Sequence, residues 1–493
     1  MYHISDLKKF NRCPRIFLLD QISEKLPFQN FIRLDDEVTA LAAKKIGAEN
    51  YFVGERGDDP ERAMKALLNY EWLMKARFEY GGLRIKVPFL HRKDNGFDLY
   101  FLFVGLFPRS DDMQFYRDTV WVLNSLGIPL NDYYMIHLNA DYVRGDTLDP
   151  KQLFVVTEYF YNNRRHHGKL LKEAIRASMT DVSNEIRAMD EALKQPMKEA
   201  VRTPKCAGRQ KCRYYETCFP NESRIPDNSI LTLSGSQHRY AMNSEGKTEL
   251  KDADAKRIEG NSIQYAQIRA DQNGGLFADR MALNAWLGSI VYPLTFLDFE
   301  WECFAIPPYK GMRPYDVLLF EYSIHILRQD GTMDHKVFLS THDDRRELAE
   351  SLLKDIPESG TILAYNADGA EMIRIRELAE LLPEYSERLL GLNSRMKDLQ
   401  LPFANGIVYD VRMRGSWSLK TIMNMLEENS YQELDIRHGM EAVFEWRHLD
   451  REEAGIDRQR IIEDLKAYCS MDSYATAAVF QWLKQLAQSQ EER

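Results

Sequence analysis

The stretch that decides the fold of this chain is Y-P-L-T-F-L-D-F-E, residues 292–300, in which an apolar run ends in two acids. The run predicts a buried strand over residues 291–299. Asp298 and Glu300 are two residues apart, and side chains at that spacing share one face of a strand. Two carboxylates so close repel each other unless a cation lies between them, which predicts a site for Mg²⁺ or Mn²⁺. A strand that ends in solvent is the alternative interpretation.

The residues around this strand predict a domain over residues 283–493. Further strands are expected at 315–327 and 360–365, and helices at 344–356, 370–382 and 459–488. Strands with helices around them favour an α/β fold built on a mixed sheet with flanking helices.

The last predicted helix carries a second pair of polar residues. Tyr468 and Asp472 are four residues apart, so they share one helix face. Small residues follow at 475–478 and would allow the helix to approach a sheet closely. An Asp-x-Glu strand followed by a late Tyr-x-x-x-Asp helix resembles the DEDD exonucleases, in their tyrosine-bearing subgroup. That resemblance implies an RNase H-like sheet and metal-dependent 3′–5′ hydrolysis of nucleic-acid phosphodiesters.

The same resemblance implies one more acid, at the start of a helix that follows a strand. The family position is occupied by Ala370, and we identify the next residue, Glu371, as the third acid. Asp368 is the other candidate, and its place before the helix is that of a cap. Asp398 resembles a supporting acid of the family.

The resemblance further implies roles in a two-metal mechanism. Asp298 would bridge both ions, while Glu300 and Asp472 would hold the ion that activates water. Glu371 would help to hold the second ion, and Tyr468 would orient the attacking water and take part in its deprotonation. Residues 409–426 add Lys420, among other polar side chains that could lie along a strand backbone.

Composition indicates an ordinary globular protein. The 493 residues carry a net charge of −10, which argues against a general DNA coat protein but not against a nuclease. We found no apolar run of the roughly 18 residues that a spanning helix needs, so no membrane association is expected. The N-terminus lacks the apolar segment of a signal peptide, which indicates a cytoplasmic protein.

Three of the six cysteines, Cys206, Cys212 and Cys218, lie close together in the sequence. In a cytoplasmic chain such spacing indicates a metal rather than disulfides. Cys13 could supply a fourth ligand. The intervals are looser than the close pairs typical of zinc, so a 4Fe–4S cluster is favoured, with zinc and unliganded cysteines as alternatives.

A cysteine in C-P-R, residues 13–15, with a later three-cysteine cluster resembles the CRISPR-associated iron–sulfur exonucleases and related helicase–nuclease subunits. There the cluster staples a PD-(D/E)xK nuclease domain. Residues 135–154 resemble an uncharacterised bacterial family that joins such a domain to an exonuclease-like one. The resemblance implies a domain over residues 1–226. The sequence that follows is polar, contains glycine and is weakly periodic, so residues 227–282 are expected to form a linker or connecting region with modest structure.

The PD-(D/E)xK resemblance fails at the catalytic positions. The family needs an Asp on one strand and a Glu/Asp-x-Lys pair on the next. Residues 83–107 predict two strands around a turn at 94–96. The first strand reads K-V-P-F at 86–89, and the second has Phe101 and Phe103 where Glu and Lys would stand. We therefore expect a nuclease scaffold without its chemistry.

Two basic stretches predict contact with nucleic acid, with a single strand of DNA or RNA favoured. The first stretch lies before and within a predicted helix over 166–200, and the second, near the cysteines, is interleaved with aromatic residues. Their members are Arg164, Arg165, Lys169, Lys172 and Arg176, and then Arg202, Lys205, Arg209, Lys211, Arg213, Tyr214 and Tyr215. The alternative function is an inactive scaffold that binds nucleic acid and partners a helicase or a defence complex.

Overall fold

The computed structural model describes the chain apart from a few short segments. The described residues are 1–23, 31–206, 212–220, 225–427, 431–432, 434–451 and 455–489. The chain divides into two compact units. The first unit contains Met1–Val201, Lys205–Pro220 and Phe304–Asp316, and the second contains Arg202–Pro204, Asn221–Cys303 and Val317–Arg493.

The first unit combines a mixed sheet, a small hairpin and surrounding helices. Its strands are β1 (Tyr2–His3), β2 (Tyr51–Val53), β3 (Trp72–Tyr80), β4 (Leu83–Lys93), β5 (Gly96–Phe103), β6 (Leu130–Leu138), β7 (Phe154–Thr157), β8 (Tyr159–Tyr161) and β9 (His167–Leu170). Its helices are α1 (Ile4–Arg12), α2 (Pro14–Ile22), α3 (Phe31–Ile46), α4 (Pro60–Asn69), α5 (Met113–Ser125), α6 (Pro150–Leu153), α7 (Leu171–Ala177), α8 (Ser183–Lys194) and α9 (Tyr215–Cys218).

The main sheet of the first unit has the strand order β2-β3-β4-β5-β6-β7, with β1 paired in parallel to β4. The predicted hairpin over 83–107 is confirmed, since β4 and β5 pair antiparallel. Phe101 of β5 is fully buried, and its ring centroid lies 4.9 Å from that of Tyr116 on α5. The position at which the resemblance would place a catalytic acid is therefore part of the hydrophobic core.

The predicted helix over residues 166–200 is wrong at its start. Residues 167–170 form β9, which pairs antiparallel with β8. The rings of Tyr159 and His167 stack across this hairpin with centroids 4.8 Å apart, and such cross-strand aromatic pairs stabilise strands. The helices α7 and α8 occupy much of the remainder of the predicted range.

The second unit is built on a five-stranded mixed sheet. The strands of this unit are β10 (Leu276–Ala278), β11 (Leu294–Cys303), β12 (Val317–Leu327), β13 (Met333–Leu339), β14 (Thr361–Ala364), β15 (Met396–Asp398) and β16 (Val408–Asp410). Its helices are α10 (Arg239–Ser244), α11 (Ser262–Gln272), α12 (Arg280–Leu287), α13 (Arg345–Asp355), α14 (Glu371–Leu381), α15 (Ser386–Ser394), α16 (Leu401–Ala404), α17 (Leu419–Leu426), α18 (Gly439–Asp450) and α19 (Arg458–Gln488).

The five-stranded sheet has the order β13-β12-β11-β14-β15. The strands β13, β12 and β11 pair antiparallel, whereas β14 and β15 run parallel to β11. One apolar core joins the sheet to α13, α14 and α15, and another joins it to α19 and to elements before β11. The α/β fold expected from the sequence is confirmed, with helices on both faces of a mixed sheet.

Two details of this sheet differ from the prediction. The strand β11 continues to Cys303 instead of ending at 299, so Asp298 and Glu300 lie within it. The edge strand β13 was not predicted, because its first four residues are polar or exposed and show no apolar alternation.

The segment predicted as a linker, residues 227–282, has more structure than its polarity suggests. This segment belongs to the second unit, and it contains α10, α11 and β10. The helix α11 buries two glutamines, which conceal its apolar face in the sequence. The side chain of Gln267 accepts a hydrogen bond from the backbone N–H of Ser234 (2.8 Å) and donates one to the hydroxyl of Tyr409 (3.1 Å). These bonds satisfy the buried amide, which offsets the cost of removing it from water.

Among the described residues, no helix combines the length and the apolar character required to cross a bilayer.

Candidate metal centre

Two of the predicted metal ligands lie on β11, in the interior of the second unit's sheet. Glu300 stands directly opposite Glu321 of the neighbouring strand β12. Alternate residues of a strand share a face, so Asp298 and Glu300 point to the same side as Phe296. The ring of Phe296 lies 5.7 Å from that of Phe480 on α19, measured between centroids. The two acids therefore face α19.

The helix α19 supplies the other predicted residues. Tyr468 and Asp472 lie one turn apart on its buried side. Ala477 is buried in the apolar core that also contains Leu294 and Phe296 of β11, and its small side chain allows the helix to lie close to the sheet. The Sγ atom of Cys469 is 3.5 Å from Oδ2 of Asp298, which shows how close the helix comes to β11.

The fold brings three carboxylates together. Asp298, Glu300 and Asp472 each offer one oxygen, and these oxygens all lie within 4.8 Å of one another. In the part of the chain that the structure describes, this is the one group of three or more acidic, histidine or cysteine residues with such spacing. Two ligands from a strand and one from a distant helix meet only because α19 packs on β11.

The electrostatics of this group are unfavourable without a cation. Burial raises the pKa of Asp298 well above its ordinary value, and the charges of Asp472 and Glu300 raise it further. Burial and the charge of Asp472 do the same to the pKa of Glu300. The pKa of Asp472 is also raised by burial, although its hydrogen bond to Tyr431 and the charge of Lys420 oppose the rise. A divalent cation would reverse this balance by stabilising the ionised forms.

Glu371 is the first residue of α14, and its side chain is buried. One carboxylate oxygen, Oε2, is buried and makes no hydrogen bond. Burial raises the pKa of Glu371 from 4.5 to about 8, with contributions from the charges of Asp398 and Asp472. Glu371 in turn raises the pKa of Asp298, but it stands outside the group within 4.8 Å. The structure thus places it beside the three ligands rather than among them.

Asp398 supports the turn that precedes α14. Its Oδ1 accepts hydrogen bonds from the backbone N–H groups of Asn366 (2.9 Å) and Gln400 (2.8 Å). The interpretation of Asp368 as a helix cap is wrong. The N-cap residue is Ala370, which has no side-chain cap, and Asp368 contributes its backbone N–H to Asp398 instead (3.4 Å). The turn is organised around a buried acid from β15, which no local pattern reveals.

Hydrogen bonds hold the tyrosines of the site. Lys420 of α17 donates a hydrogen bond from Nζ to the hydroxyl oxygen of Tyr468 (3.0 Å). Tyr431 donates its hydroxyl to Oδ1 of Asp472 (2.5 Å). Burial raises the pKa of Tyr468, and the negative charges of Asp472 and Glu300 add to the rise. Without a metal, the side chain of Tyr468 therefore stays a neutral phenol. It can form hydrogen bonds, but it does not act as a base.

The sequence analysis did not identify Glu321, which extends the acidic group onto β12. Its side chain is fully buried, and neither carboxylate oxygen makes a hydrogen bond. Burial raises its pKa, while the charge of Lys466 lowers it. A signal was present in the sequence. Within the apolar strand β12, the polar residues Glu321, Ser323 and His325 alternate on one face.

The donor set fits a hard divalent cation. Carboxylate oxygens are the ligands that Mg²⁺ and Mn²⁺ prefer. The fit is tested by the buried Oε2 of Glu371, which is an acceptor without a donor near Asp298, Glu300 and Asp472. Such an atom is costly unless a cation or a water on that cation faces it.

In the first unit, Cys13 connects α1 to α2. The neighbouring Arg12 donates a hydrogen bond to the carbonyl oxygen of Lys205 (3.3 Å), and Tyr214 donates its hydroxyl to Asp20 of α2 (2.5 Å). The segment with the clustered cysteines therefore lies against the N-terminal helices. The clustered cysteines are Cys206, Cys212 and Cys218, and all are partly exposed, as Cys13 is. A 4Fe–4S cluster held by these residues stays a prediction.

Both basic stretches contain engaged side chains. In the first, Arg164 and Lys169 are exposed, whereas Nζ of Lys172 lies 2.7 Å from Oδ1 of Asp132. In the second, Arg213 forms an ion pair with Asp20 and lies over the ring of its neighbour Tyr214. Arg209 and Lys211 lie outside the described residues.

Comparison with known proteins adds one match. A family model described as a domain of unknown function (DUF2779) matches residues 295–418. The match begins within β11 and includes Asp298, Glu300 and Glu371, whereas Tyr468 and Asp472 lie beyond it. No curated protein and no solved structure matches the chain.

Proposed function

We propose that this protein is a metal-dependent 3′–5′ exonuclease that hydrolyses phosphodiesters of DNA or RNA. The convergence of Asp298, Glu300 and Asp472, with Tyr468 one turn from Asp472, is the observation that carries the proposal. The strand order supports it, because three antiparallel strands followed by two parallel ones resemble the RNase H-like sheet of the DEDD exonucleases. The first unit would hold a 4Fe–4S cluster and bind the nucleic acid.

The residues divide the chemical work between them. Asp298, Glu300 and Asp472 would hold the cation, with Oε2 of Glu371 close by. When bound, the cation would supply an activated water and would stabilise charge on the phosphate. Tyr468, held by Lys420, would orient the attacking water through its hydroxyl. Tyr431 fixes the rotamer of Asp472 through its short hydrogen bond.

One observation favours the alternative of an inactive binding scaffold. Glu371 stands outside the group within 4.8 Å, so one ligand of the expected four is displaced in this state. A scaffold of this kind would bind nucleic acid and a partner such as a helicase without hydrolysis.

The decisive experiment uses the double variant Asp298→Asn/Glu300→Gln with labelled single strands of DNA and RNA in Mg²⁺ or Mn²⁺. We expect wild type to shorten the strands from the 3′ end and the variant to be at least about 1000-fold slower, since cation binding contributes several kcal/mol. Asp334→Asn on the exposed strand β13 is the matched control and should keep full activity.

Equal inactivity of wild type and variant with both metals would support the scaffold. Degradation that starts at the 5′ end, or activity that survives in the double variant, would remove the exonuclease proposal.

The wild-type protein, prepared without oxygen, tests the presence of the iron–sulfur cluster. Visible absorbance that is lost in Cys13→Ser supports 4Fe–4S, whereas a colourless protein with stoichiometric zinc contradicts it.

A further inference from the structure

The hairpin of β8 and β9 presents an aromatic face on the first unit. Phe160 is buried in the core, so its neighbours Tyr159 and Tyr161 lie on the opposite, partly exposed face. The exposed ring of His167 stacks on Tyr159 with centroids 4.8 Å apart and lies edge-to-face with Tyr161 at 5.2 Å. Lys169 follows His167 by two residues and shares its side of the strand. These three rings and the lysine form the hairpin face.

Contacts with the main sheet fix the position of the hairpin face. The hydroxyl of Tyr161 lies 3.3 Å from Nε2 of His137 on β6, and its backbone N–H donates a hydrogen bond to the carbonyl oxygen of Pro108 (2.8 Å). The ring of Phe107 packs edge-to-face against Tyr161 with centroids 5.4 Å apart. Because these rings are already held in place, they lose little conformational entropy when a ligand stacks on them.

The turn between the two strands is ordered and ends the hairpin in two arginines. Oδ1 of Asn162 accepts hydrogen bonds from the backbone N–H groups of Arg164 (2.8 Å) and His166 (3.2 Å). Arg165 has a φ of 62°, in the left-handed region that arginine rarely adopts. Its guanidinium carbon lies 5.2 Å from the centroid of the Phe107 ring, which is the geometry of a cation–π contact. The turn therefore holds one arginine over a ring and exposes the other.

The hairpin and its flanks carry more cations than carboxylates. Residues 158–176 contain five cations and two carboxylates, namely Arg164, Arg165, Lys169, Lys172 and Arg176, and Glu158 and Glu173. Three carboxylates of neighbouring elements already have cations of their own, since Asp132 pairs with Lys172, Asp111 with Arg109 and Asp112 with Lys8. Four cations then remain against two carboxylates. The hairpin therefore has a positive potential, which attracts phosphates.

The cations nearest to the rings are available for a ligand. Arg164 and Lys169 are exposed. Among the described residues, neither of them forms an ion pair with a carboxylate. Exposed rings with unpaired cations beside them are the combination that contacts the bases and the phosphates of a single strand.

We propose that the hairpin face binds a single strand of nucleic acid, with a base stacked on His167 and phosphates on Arg164 and Lys169. Stacking on a side chain needs a base whose face is free, which favours a single strand over a duplex. Base faces and phosphates are common to DNA and RNA. The proposal rests on the part of the proposed function that assigns nucleic-acid binding to the first unit, but it does not require hydrolysis.

The test measures the anisotropy of a short fluorescent single strand of DNA with the full chain in EDTA, which prevents turnover. We expect His167→Ala to weaken binding about fivefold or more, because a stacked base is lost. His167→Tyr keeps a ring and should bind within about twofold of wild type, which separates stacking from a loosened hairpin.

A second variant tests the cations. Arg164→Gln/Lys169→Gln should weaken binding, and the salt dependence of log K should fall by about 0.7 for each phosphate that is no longer neutralised. Arg187→Gln/Lys194→Gln on the exposed face of α8 makes the same charge change and should leave affinity within about twofold, because only cations that contact phosphates contribute. Melting temperatures close to that of wild type show that both double variants are folded.

The outcomes separate the hairpin from the rest of the proposed function. Wild type that binds the strand while His167→Ala and Arg164→Gln/Lys169→Gln bind equally well overturns the hairpin face and leaves the exonuclease proposal in place. Duplex bound as tightly as the single strand, or equal weakening in the α8 variant, also overturns it. Wild type that binds no strand removes nucleic-acid binding from the first unit altogether. Weaker binding in the hairpin variants supports the hairpin face even if the wild type never hydrolyses the strand.

Discussion

Two strands of this chain present residues two positions apart in the interior of a mixed sheet, with opposite outcomes. On β5 of the first unit, Phe101 and Phe103 pack into an apolar core. On β11 of the second unit, Asp298 and Glu300 face a helix that carries a third acid. The difference shows that equivalent spacing on two strands can serve an apolar core or a group of acids, depending on what packs over the strand.

The largest effect should come from Phe101→Glu, which puts an acid where the resemblance to nucleases would have one. Phe101 is fully buried among apolar side chains, so the new carboxylate has no partner. We expect a loss of about 4 kcal/mol or more in the free energy of unfolding, or failure of the first unit to fold. Denaturant titration followed by circular dichroism measures it.

Phe101→Leu is the control and should cost less than about 1.5 kcal/mol, because it keeps the site apolar at similar volume. If Phe101→Glu were as stable as Phe101→Leu, the first unit would tolerate a carboxylate at position 101. The contrast between β5 and β11 would then be wrong.

A second prediction concerns the stabilisation that a cation gives to the second unit. At Mn²⁺ concentrations about 100 times the dissociation constant, the wild-type protein should gain about 2.7 kcal/mol. Asp472→Asn should lose most of that gain, and its metal-free form should be no less stable than wild type because repulsion is relieved. Thermal shift with EDTA and with Mn²⁺ gives both values.

Glu463→Gln, exposed on the same helix, is the control and should keep the full stabilisation by Mn²⁺. If Asp472→Asn keeps it as well, the cation binds elsewhere.

A third prediction concerns the pH dependence of metal-free stability. Because the pKa of Glu371 is raised from 4.5 to about 8, the folded chain keeps a proton that the unfolded chain releases at lower pH. The free energy of unfolding should therefore fall as the pH rises through that window. Glu371→Gln should flatten the profile measured by melting in EDTA, while Glu377→Gln, exposed on the same helix, should leave its slope unchanged. A slope that stays the same in Glu371→Gln would show that other groups set it.

Much of the second unit could be predicted because its elements carry local signals. The apolar runs of β11 and β12 and the helical periods of α13, α14 and α19 are visible in single windows of sequence. Asp298, Glu300 and Asp472 could be identified because two-residue spacing on a strand and a tyrosine one helical turn before an acid are simple patterns. Their convergence within 4.8 Å needed the structure.

The features that escaped prediction depend on partners distant in sequence. Gln267 can be buried in α11 because its amide forms hydrogen bonds with Ser234 and Tyr409. In the sequence alone, such a glutamine looks like an exposed polar residue, so the segment resembles a linker. The turn before α14 is held by hydrogen bonds that the carboxylate of Asp398 accepts, and Asp398 follows that helix in the sequence. Glu321 is visible in the sequence only as part of the polar alternation on β12, and its place opposite Glu300 follows from the strand pairing.

The thiol of Cys469 has a consequence for experiment. It lies between α19 and β11 with no exposure to solvent, and burial raises its pKa well above that of a free thiol. In the packed state it should therefore resist alkylation and oxidation, whereas the exposed Cys303 should react much faster. Slow labelling of Cys469 in the native protein then reports the rate at which α19 separates from the sheet, and a bound cation that ties Asp472 to Asp298 should lower that rate.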